Sequence, residues 1–382
     1  MNQPTMELPP GLKGAVVAHT ELSDVRGDEG FFHYRQYNAV DLARSRSFED
    51  TWQLMWNGEL PDRHTSQAFG DRLRAVRRLP DALVPPLRKV ATVGTPIDAL
   101  RTSLSLLGAL RGSRSVLDLD EGELRAEAFA IAASVAPLVA GVHRVRRGLD
   151  PVAGEPDPDL GHAGAYLQML SGRRPSPAAV NALERYLVLT IDHGFNASTF
   201  AARVIISTGP DIGAAVVGAL GALSGPLHGG APSRCLDAID AIGTPDRAGA
   251  WVRSELAAGR RLMGFGHAVY RVEDPRAALL RETALELGGP RIDTALALEA
   301  AALEHLAIAH PERQLPTNVE LWAAVVLDAC GLDAELFTPT FTVSRMIGWC
   351  AHILEQVGEH TLIRPSARYV GPVPPVTVPA AG

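Results

Sequence analysis

The stretch of sequence that decides the fold reads GAAVVGALGALSGPLHGG, residues 213–230. Its first half is rich in alanine, leucine and glycine, a composition typical of helices whose backbones pack closely. Its second half breaks that pattern with Gly225, Pro226 and the glycines that follow His228. A helix that ends in such a loop can project an imidazole ring into a cleft.

Apolar residues recur at helical spacing over most of the chain from Ser47 onward, and segments with glycine or proline separate the helices. Strand-like pieces at residues 15–19 and 31–34 flank the turn-rich residues 24–30, which predicts a small N-terminal β-hairpin. The sequence therefore predicts an all-α protein with one small hairpin. We expect no fixed structure in the tail, residues 372–382.

The bulk composition excludes several classes of protein. The chain has 382 residues and a formal net charge of −7, without the basic stripe of a nucleic-acid-binding protein. Its three cysteines lack CxxC spacing, which favours a reducing compartment. The N-terminus does not resemble a secretory signal, and we expect no apolar stretch long enough to cross a membrane. These features predict a cytoplasmic protein without nucleic-acid or membrane partners.

Two motifs suggest ligand sites that the surrounding sequence does not support. Gly264-Phe265-Gly266 is not a dinucleotide-binding loop, because Val269 stands where a third glycine is needed and no strand precedes it. The histidines at positions 193, 228 and 267 lack the HExxH or paired-cysteine spacing of metal ligands, so we expect no metal site.

The surroundings of His267 indicate an anion site. Considered alone, a histidine is more often a hydrogen-bonded structural residue than a catalyst. However, His267 follows glycines and precedes Arg271 and Arg276. Arg345 lies in an apolar helical pattern, where an unpaired guanidinium would be costly. It belongs either to a buried ion pair or to a site that binds a carboxylate ligand bidentately, and the sequence leaves both open.

Three ordered segments resemble the active-site segments of citrate synthases: residues 225–231 (GPLHGGA), residues 263–267 (MGFGH) with 274–276 (DPR), and residues 317–320 (TNVE). The likeness extends over nearly the whole chain, through residues 11–14, 34–35, 57–61, 193–199, 363–365 and 369–372. It implies the citrate synthase fold, with a large helical domain (1–228 and 332–382), a small helical domain (229–331) and an active-site cleft between them.

The resemblance also implies a reaction. Glu320 would abstract a methyl proton from acetyl-CoA while His228 stabilises the enolate, and His267 would polarise the keto group of oxaloacetate. Hydrolysis of citryl-CoA would then release citrate and CoA. The implied protein is an acyltransferase of the tricarboxylic acid cycle that has no tightly bound cofactor and uses acetyl-CoA as cosubstrate.

By the same resemblance, oxaloacetate would be bound by His193, Arg276 and Arg345. Arg364 would reach the neighbouring subunit's site, which implies a homodimer. The residues implied to contact coenzyme A are Arg261, Met263, Gly264, Phe265, Gly266, Arg271 and Arg368.

The sequence departs from the family pattern where the base is expected. Glu320 replaces the usual aspartate and is one methylene longer, and Pro232 replaces an asparagine. Both features resemble a variant found among actinobacterial citrate synthases. Two other functions stay open: a 2-methylcitrate synthase that uses propionyl-CoA, and a catalytically silent protein that binds oxaloacetate or CoA esters.

Overall fold

The computed structural model describes residues 7–12, 14–152, 154–225, 228–229, 231–375 and 377–379. Within those ranges the chain forms sixteen α-helices and one three-stranded sheet, which confirms the all-α prediction. Pro226, Leu227 and Gly230 of the predicted histidine loop lie outside the described residues, as do Lys13 and parts of both termini. The described residues of the predicted tail form neither helix nor strand.

The helices follow one another with short connections over the whole chain. Their bounds are α1 (Ala39–Ser45), α2 (Phe48–Asn57), α3 (Arg63–Val76), α4 (Val84–Val90), α5 (Pro96–Arg111), α6 (Glu121–Arg146), α7 (His162–Ser171), α8 (Pro177–Thr190), α9 (Ala197–Ile206), α10 (Ile212–Leu223), α11 (Ala231–Ile242), α12 (Ala248–Ala257), α13 (Pro275–Leu287), α14 (Ile292–Ala309), α15 (Val319–Ala329) and α16 (Phe337–Glu359).

The N-terminal sheet differs from the predicted hairpin in its first strand. Strand β1 (Ser23–Arg26) pairs antiparallel with β2 (Phe31–Tyr34), and β3 (Tyr37–Asn38) adds a short third strand. The prediction of a strand at residues 15–19 is wrong, because those residues form no ladder and Val16 is 83% exposed. The four consecutive apolar residues at positions 15–18 place no buried side chain in the core.

Helix α6 lies at the centre of the helical core. It packs against α5, α7 and α16, and a capping box between Asp120 and Glu123 fixes its first turn. Contrary to the sequence-based expectation, this helix is long and apolar enough to cross a membrane. However, 89% of its apolar window is buried inside the protein, a burial typical of a core helix.

Helix α16 connects the core to the cleft described below. It packs against α6, α8, α9 and α10, and it buries the polar side chains of Arg345 and His352. Its close approach to the end of α8 requires glycine at position 348. A Cβ atom there would overlap the carbonyl oxygen of Ile191 and lie 3.1 Å from a carboxylate oxygen of Asp192.

We therefore expect Gly348→Ala to lower the free energy of unfolding by about 1–3 kcal/mol, as overpacked cores do. Gly358→Ala in the same helix is the matched control, because a Cβ atom there meets nothing within 4 Å. The control should be neutral or stabilise the protein by up to about 1 kcal/mol, since alanine favours helix. Thermal melts of both variants measure the difference. Equal melting temperatures would show that α16 does not approach Ile191 this closely.

Candidate active site

A cleft of about 750 Å³ lies among α8, α13, α15, α16 and the N-terminal segment. It brings together residues that are far apart in the sequence, including all three of the predicted catalytic residues. The sequence-predicted residues that line it are His193, His228, Arg261, Gly266, His267, Arg276, Glu320 and Arg345.

Backbone hydrogen bonds join the loop that carries His267 to the segment before α15. Gly266 N donates to the carbonyl oxygen of Pro316 at 2.8 Å, and Asn318 N donates to that of Gly264 at 2.9 Å. Both glycines have positive φ angles, 89° for Gly264 and 76° for Gly266. A side chain at either position would also crowd Leu321 or Leu315. The pairing places His267 and Glu320 at the same cleft.

Glu320 lies in the first turn of α15, whose N-cap is Asn318. Burial raises the pKa of Glu320 to about 7. The positive charges of Arg261 and Arg276 and a backbone hydrogen bond from Gly264 act in the opposite direction and limit the rise. A carboxylate with a pKa near neutrality is well matched to the work of a general base.

His267 is held as a neutral hydrogen-bond donor. Its Nδ1 atom accepts hydrogen bonds from the backbone N–H groups of Val269 at 3.0 Å and Tyr270 at 3.1 Å. Burial, followed by the charge of Arg276, lowers the pKa of His267 to about 4. Because Nδ1 has no proton, the single ring proton of the neutral imidazole lies on Nε2. Arg276 Nη2 lies 3.4 Å from Nε2, so an oxygen atom bound here can accept hydrogen bonds from both groups.

His228 is positioned by Ser198 at the start of α9. Its Nε2 atom lies 2.8 Å from the Ser198 hydroxyl, which accepts a hydrogen bond from Trp349 Nε1 at 3.1 Å. Burial lowers the pKa of His228 to about 4, and the charge of Arg345 contributes. The Ser198 hydroxyl also lies 2.8 Å from Asn196 Oδ1, so its single proton goes either to that oxygen or to His228 Nε2. When Ser198 donates to Nε2, the proton of the neutral ring lies on Nδ1. The sequence analysis did not single out Ser198, although it lies in the 193–199 segment.

Arg276 is fixed by Asp274, the N-cap of α13. The guanidinium donates from Nε to Asp274 Oδ1 at 3.0 Å and from Nη2 to Oδ2 at 2.7 Å. Burial disfavours the charge, but the carboxylate outweighs burial and raises the pKa of Arg276. Asp274 also accepts a hydrogen bond from Val319 N at 3.2 Å. The arginine is therefore oriented from two helices, and its Nη1 atom is left for a ligand.

Arg345 is buried without a carboxylate partner. It is 1% exposed, and its Nε atom donates to the Thr190 carbonyl oxygen at 3.0 Å. No carboxylate of the described residues lies within 4.0 Å of its guanidinium, whereas the equally buried Arg203 pairs with Glu355 and Glu359. Among the described residues, the structure therefore does not contain the buried ion pair that was one alternative for Arg345. An unpaired guanidinium at the wall of a cleft is suited to an anionic ligand.

His193 completes this side of the cleft. Its Nε2 atom lies 3.0 Å from the Tyr270 hydroxyl, and its ring meets that of His267 edge-on with centroids 5.4 Å apart. Burial, followed by the charge of Arg276, keeps the pKa of His193 well below its usual value. Tyr270 is a second site residue that the sequence analysis did not single out.

A second cavity of about 690 Å³ adjoins the cleft and shares Arg261, Gly266, His267 and Ala268 with it. Its polar lining is cationic or titratable, and leucine, alanine and Phe265 form most of the rest. Such a cavity can accept a ligand that combines phosphates with an apolar body. The arginines in this lining are Arg260, Arg261 and Arg313, and His310 lies beside them.

Five of the predicted CoA-contacting or intersubunit residues lie outside both cavities. Arg271, Arg364 and Arg368 are exposed, and Arg368 forms an ion pair with Glu7. Met263 lies beside the loop without lining a cavity, and Gly264 contributes its backbone to Glu320. No group of three or more His, Cys, Asp or Glu side chains in the described ranges could hold a metal ion.

The helical fold brings a buried carboxylate, neutral imidazoles and buried arginines together at one cleft. The family model described as "Citrate synthase, C-terminal domain" matches residues 11–366. The chain belongs to the citrate synthase family.

Similar proteins cover nearly the whole chain. Citrate synthase from Haloferax volcanii is 40% identical over 368 residues, which cover 96% of each chain. A 2-methylcitrate synthase from Mycobacterium tuberculosis is 40% identical over 385 residues, covering 97% of this chain and 93% of that protein. Citrate synthase from Thermoplasma acidophilum, solved as a ternary complex with carboxymethyl coenzyme A and oxaloacetate, matches with a TM-score of 0.88 and 27% identity, covering 98% of this chain and 99% of that one.

The unpaired state of Arg345 gives a prediction about stability. Arg345→Met should raise the free energy of unfolding of the free protein by about 1 kcal/mol, because it removes a buried charge that only the more distant Asp192 carboxylate and other non-contacting groups offset. The matched control is Arg203→Met, which strands Glu355 and Glu359 and should destabilise the protein by about 2 kcal/mol or more. Chemical denaturation of both variants measures the two free energies. A loss of stability in Arg345→Met would mean that its guanidinium has a partner in the free protein.

Proposed function

We propose that this protein condenses acetyl-CoA with oxaloacetate and hydrolyses the resulting citryl-CoA to citrate and CoA. The observation that carries the proposal is the pairing of Glu320, whose pKa is about 7, with two neutral imidazoles at one cleft. The similarity to citrate synthases, which covers almost the full length of the chain, also supports the proposal. As in that family, acetyl-CoA acts as a cosubstrate and no tightly bound cofactor takes part.

The first step removes a proton from the methyl group of acetyl-CoA. Ionised Glu320 accepts the proton, and the electrons of the broken C–H bond form an enolate at the thioester oxygen. His228 donates a hydrogen bond to that oxygen through Nδ1, while Ser198 binds Nε2. A neutral donor aimed in advance at the developing charge in a partly buried site lowers the barrier.

In the second step the enolate carbon attacks the keto carbon of oxaloacetate. His267 donates from Nε2 to the keto oxygen, which becomes an alkoxide and takes up that proton. The proton that Glu320 removed from the methyl group then replaces it on His267 by way of water, which restores both groups. Arg276 and Arg345, together with His193, bind the two carboxylates and orient the keto group. Water then cleaves the thioester bond of citryl-CoA, which makes the overall reaction effectively irreversible.

The second cavity is proposed to hold coenzyme A. Its cationic side chains suit the phosphates, and its opening to the cleft at Gly266 and His267 allows the thioester to reach Glu320. Met263, Gly264 and Phe265 would then contribute through the backbone that shapes the entrance. Arg271 and Arg368 are exposed in this structure and stay predicted CoA contacts.

The extra methylene of Glu320 fits this arrangement. A hydrogen bond from the Gly264 backbone fixes the carboxylate, and the pairing of Asn318 with Gly264 and Gly266 sets the position of the helix that carries it. A catalytic group displaced by about 1 Å loses on the order of a hundredfold in rate. We infer that the backbone of the His267 loop, and not the side-chain length alone, determines the position of the Glu320 carboxylate.

The domain division proposed for this chain is 1–228 with 332–382 against 229–331. Helices α11–α15 lie in the second unit, while α8 and α16 lie in the first, and both units contribute residues to the cleft. Closure of one unit on the other would exclude water until the carbon–carbon bond has formed. We also propose that the enzyme works in the cytoplasm as a homodimer.

The acyl donor distinguishes the main proposal from its alternative. Ala323, one turn after Glu320, and Pro232 both line the cleft, so a slightly larger acyl group is compatible with its wall. One additional methylene usually changes discrimination by about 1–3 kcal/mol. A 2-methylcitrate synthase that uses propionyl-CoA is therefore the second candidate function, and a relative with that name is 40% identical.

The decisive experiment measures CoA release with saturating oxaloacetate, using acetyl-CoA and propionyl-CoA side by side. We expect a higher kcat/KM for acetyl-CoA. Glu320→Gln, which keeps the shape but removes the base, should lower kcat by about 100-fold or more. Glu304→Gln, an exposed residue of α14, should leave the rate unchanged.

Oxaloacetate binding to Glu320→Gln is measured in parallel by its effect on the melting temperature. Preference for propionyl-CoA would favour the 2-methylcitrate reaction. No oxaloacetate-dependent release with either thioester, while oxaloacetate still raises the melting temperature, would favour the catalytically silent binding protein.

The proposed role of Arg364 in a neighbouring subunit's site predicts complementation. Arg364→Ala and Glu320→Gln homodimers should each be nearly inactive. After the two variants are unfolded together and refolded, mixed dimers would contain one site with both Arg364 and Glu320, and activity should reappear. About half the protein would be mixed dimers at random pairing, each with one of two sites intact, so roughly a quarter of the wild-type rate is expected. Recovery of no activity, despite mixed dimers shown by mass spectrometry, would place Arg364 outside the partner's site.

A further inference from the structure

Arg261 lies between the cleft and the second cavity and lines both of them. The residue before it, Arg260, forms a two-point ion pair with Glu255 through Nε at 2.7 Å and Nη2 at 2.6 Å. Arg261 has no carboxylate within 4.0 Å among the described residues, and its side chain is exposed. Arg261 is therefore an exposed cation at the boundary between two cavities, not fixed by an ion pair among the described residues.

The other charged groups around Glu320 are fixed in place. Arg276 also acts on the Glu320 carboxylate, but Asp274 holds that guanidinium through two hydrogen bonds. Asp274 itself acts on Glu320 with negative charge, and Cys235 of α11 is a buried thiol whose pKa is raised well above its usual value by burial and by Glu320.

The imidazoles that share the cleft contribute no positive charge near neutral pH. Burial keeps His193, His228 and His267 uncharged, with the pKa of each below its usual value. Of the two arginines that act on Glu320, Arg276 is held by an ion pair and Arg261 has none within 4.0 Å among the described residues. A change in its position changes the charge felt by the base.

We propose that Arg261 couples the binding of CoA phosphates to the base strength of Glu320. With the second cavity empty, the guanidinium lies in the cleft and stabilises the Glu320 carboxylate. When the phosphates of the thioester occupy the second cavity, they attract the guanidinium away from Glu320. The carboxylate then keeps its burial but loses a cation, and it becomes a stronger base once the methyl group is in place.

The proposal rests on the proposed citrate synthase reaction and adds a positioning residue to it. Its chemical basis is that an opposite charge within a few ångströms favours the ionised form of a carboxylate by about 1–3 pKa units when little water intervenes. Because Arg261 is exposed, we expect the lower end of that range. Binding energy from the phosphates, which lie far from the reacting carbon, would thereby increase reactivity at Glu320.

The test compares pH profiles of wild type and Arg261→Gln at saturating oxaloacetate. Activity requires ionised Glu320, so it rises with pH through the Glu320 pKa. The kcat/KM profile for acetyl-CoA reports the enzyme before the thioester binds, and the kcat profile reports the complex. In wild type, we expect the acid limb of kcat/KM to lie about 1 pH unit below that of kcat. In Arg261→Gln, the acid limb of kcat/KM should shift to higher pH and coincide with that of kcat. KM for acetyl-CoA should also rise.

Acetyl-pantetheine provides a second readout because it carries the thioester without the phosphates. With this substrate, Arg261 stays beside Glu320, so the wild-type kcat limb should lie about 1 pH unit lower than with acetyl-CoA. In Arg261→Gln the acid limb of kcat should lie at the same pH with both substrates. Arg253→Gln, an exposed arginine of α12 outside both cavities, is the control and should behave as wild type.

Two results would overturn the inference: coincident kcat and kcat/KM limbs in wild type, or a separation that persists in Arg261→Gln. Either result leaves the condensation reaction intact, because turnover that depends on Glu320 is measured in the same assays. Absence of oxaloacetate-dependent CoA release from the wild-type protein would instead refute the proposed function and this inference with it.

Discussion

The backbone pairing between the His267 loop and the segment before α15 is the constraint on which the site depends. Gly266 and Asn318 join the two segments through hydrogen bonds to Pro316 and Gly264, and the Asn318 side chain adds another to Gly266. A main-chain ladder fixes positions more firmly than contacts between flexible side chains, because both partners are already ordered. It explains why glycines with positive φ angles stand on both sides of Phe265. The same hydrogen bonds set the distance between a proton acceptor and a proton donor.

Burial is the largest influence on the protonation states of the titratable groups in the site. The same low-polarity surroundings disfavour charge on every titratable group, so they raise the pKa of Glu320 and lower those of His228 and His267. One carboxylate is thereby made basic while two imidazoles are kept as neutral donors. The cost falls on Arg345, which keeps its charge in the same surroundings without a carboxylate partner in the described chain. Stability given up at such a position is common where a protein must bind a charged ligand.

The sequence predicted most of the helices because their apolar period and their glycine and proline breaks are local signals. It placed the first strand wrongly, since a short apolar run such as residues 15–18 cannot reveal that no partner strand lies beside it. Glycine-flanked His228 and His267 were recognisable from their neighbours in sequence. Ser198 and Tyr270 were not, because each acts on a histidine brought close only by folding. The alternatives for Arg345 were likewise undecidable until the positions of all the described carboxylates were known.

Helix α16 presents Arg345 to the cleft and, one turn later, Trp349 to Ser198, the residue that contacts His228. One helix therefore carries both the arginine proposed to bind oxaloacetate and the tryptophan that supports the proposed enolate donor. An α-helix turns about 100° per residue, so inserting or deleting one residue between these positions would swing one side chain away from its target. During divergence this segment can accept substitutions, but it cannot accept a change in length. The four-residue interval from Arg345 to Trp349 thus has to keep its length, whereas the residues between them can vary.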